Sequence, residues 1–289
     1  MRNIALITKN YLNNECFNES IFQNPVDDKF LKFRSIKKML RQIGLNIETY
    51  DVLLARGEEV HAFLVKDYIS WNWSEKDKPS ILIAMESEVI EPELYEVEYL
   101  RKFNSVLSWK DLRGLVNHFE FFNYNFDIRE NFYKNDQYVD QENERIYKVV
   151  CVQSFFPYGY SRHSYLERQN LIFEAAKYLS NDFKLFGKGW DQLDLNNAIL
   201  NKIANRFPAV RKAVLKHRHF YMGPVESKYA VLKRAIFALA VENYCTPGYI
   251  TEKFFDCFLA GTIPIYIGSA SIKDYVNEDS YIFVGDFDN

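Results

Sequence analysis

Apolar runs of strand length alternate with amphipathic stretches along most of the chain. Ile4 to Ile7 is the first such run. Lys29 to Ile43 follows, with Phe33, Ile36, Leu40 and Ile43 at helical intervals and Gly44 behind them as a helix C-cap. Val60 to Val65, Ser80 to Ala84 and Ser105 to Trp109 predict strands, with Asp77 to Pro79 as the turn into the second. Between Asn123 and Arg145 the periodicity lapses into a polar, Asn-rich stretch carrying Asp136, Asp140, Glu142 and Glu144. A domain boundary is expected there, giving domains 1–145 and 146–289. Behind it the alternation resumes: strand Val149 to Val152, helix Tyr165 to Leu179, strand Phe183 to Phe186 ending in Gly187-Lys-Gly189, strand Ile236 to Val241, helix Thr251 to Leu259 and strand Ile263 to Ile267. Continuous apolar runs mark strands covered on both faces, so the expected fold is α/β, two Rossmann-like domains facing a cleft.

Asn197 to Phe220 departs from this pattern. Lys202, Arg206, Arg211, Lys212, Lys216 and Arg218 interleave there with Ile203, Phe207, Val210, Val214 and Leu215, and Pro208 is placed to start a second short helix. Two readings are open for this basic amphipathic segment: peripheral contact with anionic lipid around Arg206 to Arg218, or a solvated helix packed on its apolar face.

Composition narrows the function classes. The 289 residues hold 36 Lys and Arg against 39 Asp and Glu, a net charge of −3, which argues against a bulk polyanion binder; no nucleic-acid module signature is present. Hydrophobic residues make up 48% and charged residues 26%, with 11 Gly and 8 Pro, so disordered and fibrous classes drop out. Aromatic residues reach 17%, enough for a thick core and for stacking in a binding pocket. The cysteines, Cys16, Cys151, Cys245 and Cys257, lack metal-site spacing, and Cys151 and Cys257 sit in apolar runs as small core residues. The N-terminal apolar run is too short for a signal sequence or a membrane span. A reducing, cytoplasmic setting is expected, peripheral to the inner face of a membrane if the basic segment meets lipid.

Chemistry concentrates between Phe237 and Ser269. A buried strand ends in Glu242-Asn243, Pro247-Gly248 makes a turn, and a helix opens at Thr251 with Glu252 and Lys253 in its first turn. In open α/β sheets ligands bind at the carboxyl ends of strands, where helix N-termini favour phosphate. A lysine in a helix's first turn is disfavoured by the dipole, and an anion bound between helix end and lysine reverses that penalty.

Glu242-Asn243, Tyr249-Ile-Thr-Glu-Lys253 and Ala260-Gly-Thr-Ile-Pro-Ile-Tyr-Ile-Gly268 together resemble the donor-binding motif of the family 10 glycosyltransferases, the α1,3/4-fucosyltransferases. The likeness runs from Gly223, through Lys228, to Phe287. It implies a GT-B-like architecture, with GDP-fucose bound by domain 146–289 and the acceptor by domain 1–145. Lys253 would then contact the donor diphosphate, Glu252 the ribose or sugar hydroxyls, and Tyr249 and Asn243 the nucleotide pocket. Arg168, on a helix ahead of Phe183-Lys-Leu-Phe-Gly187, resembles the family's arginine helix and would neutralise the departing phosphate; Arg162 is its rival. With Lys253 and an arginine at the diphosphate, the resemblance implies neither a metal nor another cofactor. Family members generally continue with further helix beyond the pair matched by Asp286-Phe287.

Inverting sugar transfer also needs a carboxylate to take the acceptor hydroxyl's proton. Ile81-Leu-Ile-Ala-Met-Glu86-Ser-Glu88 delivers two at a strand end and resembles the family's front-domain segment, in which the residue matching Glu86 is the base. Two close acids raise each other's pKa, which would poise one for proton transfer. The expected activity is transfer of fucose to a glycan hydroxyl, α1,3 on an N-acetylglucosamine or glucose unit of a lipopolysaccharide, glycoprotein or other cell-surface glycan. Two alternatives stand beside it: a GT-B enzyme using another nucleotide sugar, and a non-catalytic nucleotide or glycan binder.

Overall fold

The structure is a computed structural model that describes residues 1–19, 24, 26–67, 77–116, 119–121, 144–155, 163–195 and 197–285. The chain divides into two compact units, Met1–Phe132 and Tyr133–Asn289. The boundary expected after residue 145 falls somewhat later, and most of the polar stretch that pointed to it lies outside the described residues.

The first unit contains β1 (Arg2–Thr8), α1 (Leu31–Gln42), β2 (Leu45–Thr49), α2 (Tyr50–Ala55), β3 (Ala62–Lys66), β4 (Ser80–Ala84), α3 (Val97–Leu100), β5 (Ser105–Ser108) and β6 (Phe119–Phe121). Its six strands pair in the order β2-β1-β3-β4-β5-β6, every pair parallel. The apolar runs read as strands are all present, and Gly44 ends α1 at a φ of 78°, a conformation glycine adopts without steric cost. The strand β2 and the helix α2 are additions to the sequence pattern. Glu48 is buried in β2 beneath the Arg56 guanidinium at 2.9 Å and the Asn14 amide at 3.1 Å, so a polar residue occupies a position that periodicity reserves for an apolar one.

The second unit contains β7 (Tyr147–Val152), α4 (His163–Leu179), β8 (Phe183–Phe186), α5 (Ala198–Ala204), α6 (Pro208–His217), β9 (Tyr221–Gly223), α7 (Lys228–Leu232), β10 (Ala235–Val241), α8 (Glu252–Leu259), β11 (Ile263–Ile267) and β12 (Ile282–Gly285). The sheet order is β12-β11-β10-β7-β8-β9, again all parallel. Its core gathers Val149, Cys151, Ile172, Phe183, Leu185, Trp190 and Val241, each such large apolar side chain contributing about 1.5–3 kcal/mol by leaving water. Phe155 and Phe173 pack their rings 5.1 and 5.6 Å from Trp190, so aromatic residues here serve the core. Cys16, Cys151 and Cys257 are buried free thiols, pushed up to about 12 by desolvation.

One glycine fixes how β8 leaves the sheet. Gly187 has a φ of 135°, and a Cβ there would stand 1.9 Å from the carbonyl oxygen of Gln153, at the exit of β7. Gly187→Ala is therefore expected to destabilise the protein by about 3 kcal/mol or more, through the strained φ and the backbone clash together. Denaturant unfolding of the variant beside the wild type measures this, and an unchanged midpoint would contradict the close approach.

Candidate functional site

The topology of the second sheet locates the site. The chain leaves β7 for β8 and β9 on one side, then returns to β10 on the other, so the connections diverge between the exits of β7 and β10. Such a switch point opens a crevice beyond the strand ends. A pocket of about 340 Å³ lies there, lined by Val152, Gln153 and Ser154 after β7, by Asn243 after β10, and by Arg168, Lys228, Glu252 and Lys253 from helices.

The β10 exit is held by a buried lock. Glu242 is 0% exposed; one carboxylate oxygen accepts from the Thr251 backbone N–H at 2.7 Å and the other from the Thr251 hydroxyl at 2.6 Å. The loop between these residues is thereby closed onto the strand end. Thr251 caps α8, and its hydroxyl oxygen accepts from the Lys253 ammonium at 2.9 Å. Lys253 Nζ stands 3.5 Å from Glu242 Oε2 and 3.3 Å from Glu252 Oε1. Space around the lock is exhausted: a Cβ on Gly268 would lie 2.4 Å from the Tyr266 hydroxyl oxygen and 2.8 Å from Glu242 Cγ. The Gly268 of the C-terminal motif is thus required by a buried carboxylate and a buried tyrosine.

Three cations line this pocket. Arg168, on α4, is 1% exposed and donates from Nη1 to Asn243 Oδ1. Lys228, at the start of α7, pairs at 2.9 Å with Asp256 of α8. Burial pulls the Lys253 ammonium down, but Glu252 and Glu242 outweigh it and hold the group above its ordinary value, against the opposing Arg168 and Lys228. Lys228 is likewise pulled down by burial and raised by Asp256 and Glu252, with a net upward shift. Both lysines are therefore charged at neutral pH. Three fixed positive charges beside the N-terminus of α8 make a receptor for a compact polyanion, and the volume is that of a small-molecule site.

Of the residues expected at a donor site, Arg168, Asn243, Glu252 and Lys253 converge on the pocket. Tyr249 does not line it: the side chain is 3% exposed and packs inside the unit, its ring 6.4 Å from that of Tyr244. Arg162 and Asp286-Phe287 lie outside the described residues. Sequence reasoning had assigned no role to Lys228. A signal existed, because the Ser227 side chain accepts from Ala230 N at 2.9 Å and caps α7, making Lys228 a first-turn cation like Lys253.

The first unit places Glu86 after β4, beside its own sheet's switch point between β1 and β3. Asp67, directly behind β3, is buried with a left-handed φ of 44°, a conformation that Asp tolerates better than most residues. Its Oδ1 accepts from the backbone N–H groups of Met85 at 2.7 Å and Glu86 at 3.2 Å, and its Oδ2 pairs with the Lys66 ammonium at 2.5 Å. The Glu86 carbonyl accepts from the Tyr95 hydroxyl at 2.6 Å and the Trp109 indole N–H at 3.5 Å. The backbone carrying Glu86 is clamped on both sides. Glu88 pairs with Lys110, and the charge of Glu86 reaches Lys66. Burial pulls Lys66 down, and Asp67 and Glu86 more than restore it.

Comparison with known proteins bears on both units. Residues 215–289 match the family model described as glycosyltransferase family 10 (fucosyltransferase) C-terminal domain. A 54-residue stretch is 54% identical to alpha-(1,3)-fucosyltransferase B of Drosophila melanogaster, covering 18% of this chain and 12% of that protein. Another, of 65 residues, is 42% identical to the alpha-(1,3)-fucosyltransferase FucT of Helicobacter pylori, covering 22% and 14%. The matched stretches thus span only about an eighth of those relatives' own lengths. The fold is similar across 99% of this chain to a crystal structure of an alpha1,3-fucosyltransferase, with a TM-score of 0.55, 14% identity and 74% of that chain covered. An alpha1,3-fucosyltransferase crystallised with GDP gives a TM-score of 0.51 at 13% identity, covering all of this chain and 74% of that one. The α/β fold is GT-B-like, and the Lys228, Glu242 and Lys253 constellation lies within residues 215–289, the segment that matches the C-terminal domain of glycosyltransferase family 10, the fucosyltransferases.

Proposed function

We propose that the protein is an inverting fucosyltransferase that moves fucose from GDP-fucose to a hydroxyl of a glycan acceptor. The observation that carries this reading is the cationic pocket of Arg168, Lys228 and Lys253 at the switch point of the second sheet, built from the family's own C-terminal segment. In the reaction the acceptor oxygen attacks the anomeric carbon, the bond from that carbon to the diphosphate oxygen breaks, and Glu86 takes the acceptor's proton. Charge then grows on the leaving diphosphate. Arg168, Lys228 and Lys253 neutralise it, and because they are held by Asn243, Asp256 and Glu242 beforehand, little reorganisation is needed as the charge develops. Glu252, half exposed at the pocket, accepts hydrogen bonds from ribose or sugar hydroxyls. Attack opposite a β-linked leaving group yields an α-linkage, here to the 3-hydroxyl of an N-acetylglucosamine or glucose unit of a cell-surface glycan.

Nucleotide release from GDP-fucose, GDP-mannose and UDP-galactose, each with and without N-acetyllactosamine, tests the proposal. Release from GDP-fucose alone, stimulated by acceptor, is expected. Release from another donor in preference would reassign the sugar nucleotide. Absence of GDP binding would remove the diphosphate role of the pocket.

A further inference from the structure

Helix α5 packs the wrong way round for a soluble protein. A surface helix ordinarily turns its apolar stripe to the core and its polar face to water. In α5 the buried residue is Asn201. Its side chain donates to Asp194 Oδ1 at 2.8 Å and accepts from Leu195 N at 2.7 Å, and Asn205 behaves alike, accepting from Leu193 N at 2.7 Å and donating to Leu193 O at 2.8 Å. Beyond α6, Arg218 donates to the carbonyls of Trp190 at 2.6 Å and Gln192 at 3.1 Å, while Arg211 pairs with Asp191. The helix pair is moored by amides and guanidinium groups to the segment 190–195.

The apolar side chains are left outside. Ile199, Leu200, Ile203 and Phe207 are 71, 50, 51 and 58% exposed. Within α5, Ile199 and Ile203 are four residues apart and Asn201 lies about 200° round the helix from Ile199, so the anchor and the stripe are on opposite sides; the exposed Phe207 follows as the N-cap of α6. Lys202 and Arg206 flank the stripe residues as a basic row in sequence, with Lys212 and Lys216 following on α6; all four are exposed. Residues 197–220 contain six Lys and Arg and no Asp or Glu, in a chain of net charge −3.

We infer that this face docks on an anionic lipid surface, with Ile199, Ile203 and Phe207 entering the headgroup boundary and Lys202, Arg206, Lys212 and Lys216 meeting lipid phosphates and carboxylates. An apolar stripe bordered by basic residues whose long stems reach past it is the pattern of an interfacial helix. A second copy of the chain fits worse, because a self-complementary contact would set the basic row against itself. Among the described residues no helix is long and apolar enough to cross a membrane.

Co-sedimentation of the full chain with phosphatidylcholine vesicles, and with vesicles in which about a third of the lipid is phosphatidylserine, is the test. Affinity is expected to be about tenfold or more higher for the anionic vesicles and to fall steeply between 50 and 500 mM salt. Lys202→Glu with Arg206→Glu should abolish this preference, and Ile203→Ser with Phe207→Ser should weaken binding at every lipid composition. Far-UV circular dichroism and thermal midpoints of both variants are expected to stay at wild-type values, since the altered side chains are exposed. Equal sedimentation with neutral and anionic vesicles, variants that sediment like wild type, or a dimer in solution that Phe207→Ser dissociates without any anionic-vesicle binding would each overturn the inference.

Discussion

Lys253→Ala is expected to raise the dissociation constant for GDP by about a hundredfold, or roughly 2.7 kcal/mol, while binding of guanosine changes little. The difference between the two ligands isolates the diphosphate, which is where the three cations of the pocket act. Lys253 is the one of them that stands over the Glu242-Thr251 lock, so its removal has a second consequence. Burial, helped by the Glu252 charge, lifts the Glu242 carboxyl above its ordinary value, with Lys253 and the Thr251 hydrogen bonds pulling it back. Without Lys253 the carboxyl rises further and takes up a proton more readily. A raised carboxyl contributes stability at low pH that is lost as pH climbs through its folded value, so the variant's stability deficit is expected to grow toward higher pH. Titration calorimetry with GDP and guanosine, combined with denaturant unfolding across pH 5 to 8, separates the two effects. A GDP affinity that survives Lys253→Ala, with stability unchanged, would take the lysine out of the donor site.

The sequence pattern reached further in the second unit than in the first, for a physical reason. In β10 and β11 nearly every residue is apolar, because helices cover the sheet, and such runs advertise both the strand and its end. The strand end is where ligands sit in this fold class, so finding β10 also found Asn243, Glu252 and Lys253. The first unit hides more. Glu48 makes β2 look like a loop, since its burial depends on Arg56 and Asn14, contacts that periodicity does not encode. Asp67 left no local trace either: it reaches the Met85 and Glu86 amides only because β3 and β4 pair in parallel with Lys66 beside Ile83. Tyr249 shows the converse, a residue within a strong motif that the fold turns inward. For α5, the amphipathic pattern was plain but its direction was not. The direction is decided by Asn201 and Asn205, four residues apart, a spacing that a helical reading of polar residues contains as readily as one of apolar residues.

Glu86→Gln is expected to lower acceptor-stimulated turnover by about a thousandfold with GDP affinity unchanged, because the amide fills the same space and accepts no proton. Its neighbours make a sharper test than the loss alone. Tyr11, Lys66, Asp67, Tyr95 and the Glu88-Lys110 pair surround or reach the β4 exit, and among them Lys66 and Asp67 carry opposite charges held 2.5 Å apart. Asp67→Asn retains a carbonyl oxygen for the Met85 and Glu86 amides but deletes a negative charge next to Lys66. The ionised base is then favoured, and the acid limb of the kcat/KM profile is expected to move to lower pH. Lys66→Met deletes the cation instead, and the same limb should move to higher pH. Asp67→Ala removes the acceptor of both amides as well, so turnover should drop by about tenfold to a hundredfold even at the optimum, with recovery in Asp67→Asn. A residue that merely held the fold together would lower rates at all pH values without displacing the limb in opposite directions. Glu86→Gln with full turnover would remove the base assignment, whereas an inactive Glu86→Gln alongside unmoved profiles for Lys66→Met and Asp67→Asn would leave the base in place and strip the pair of its electrostatic role.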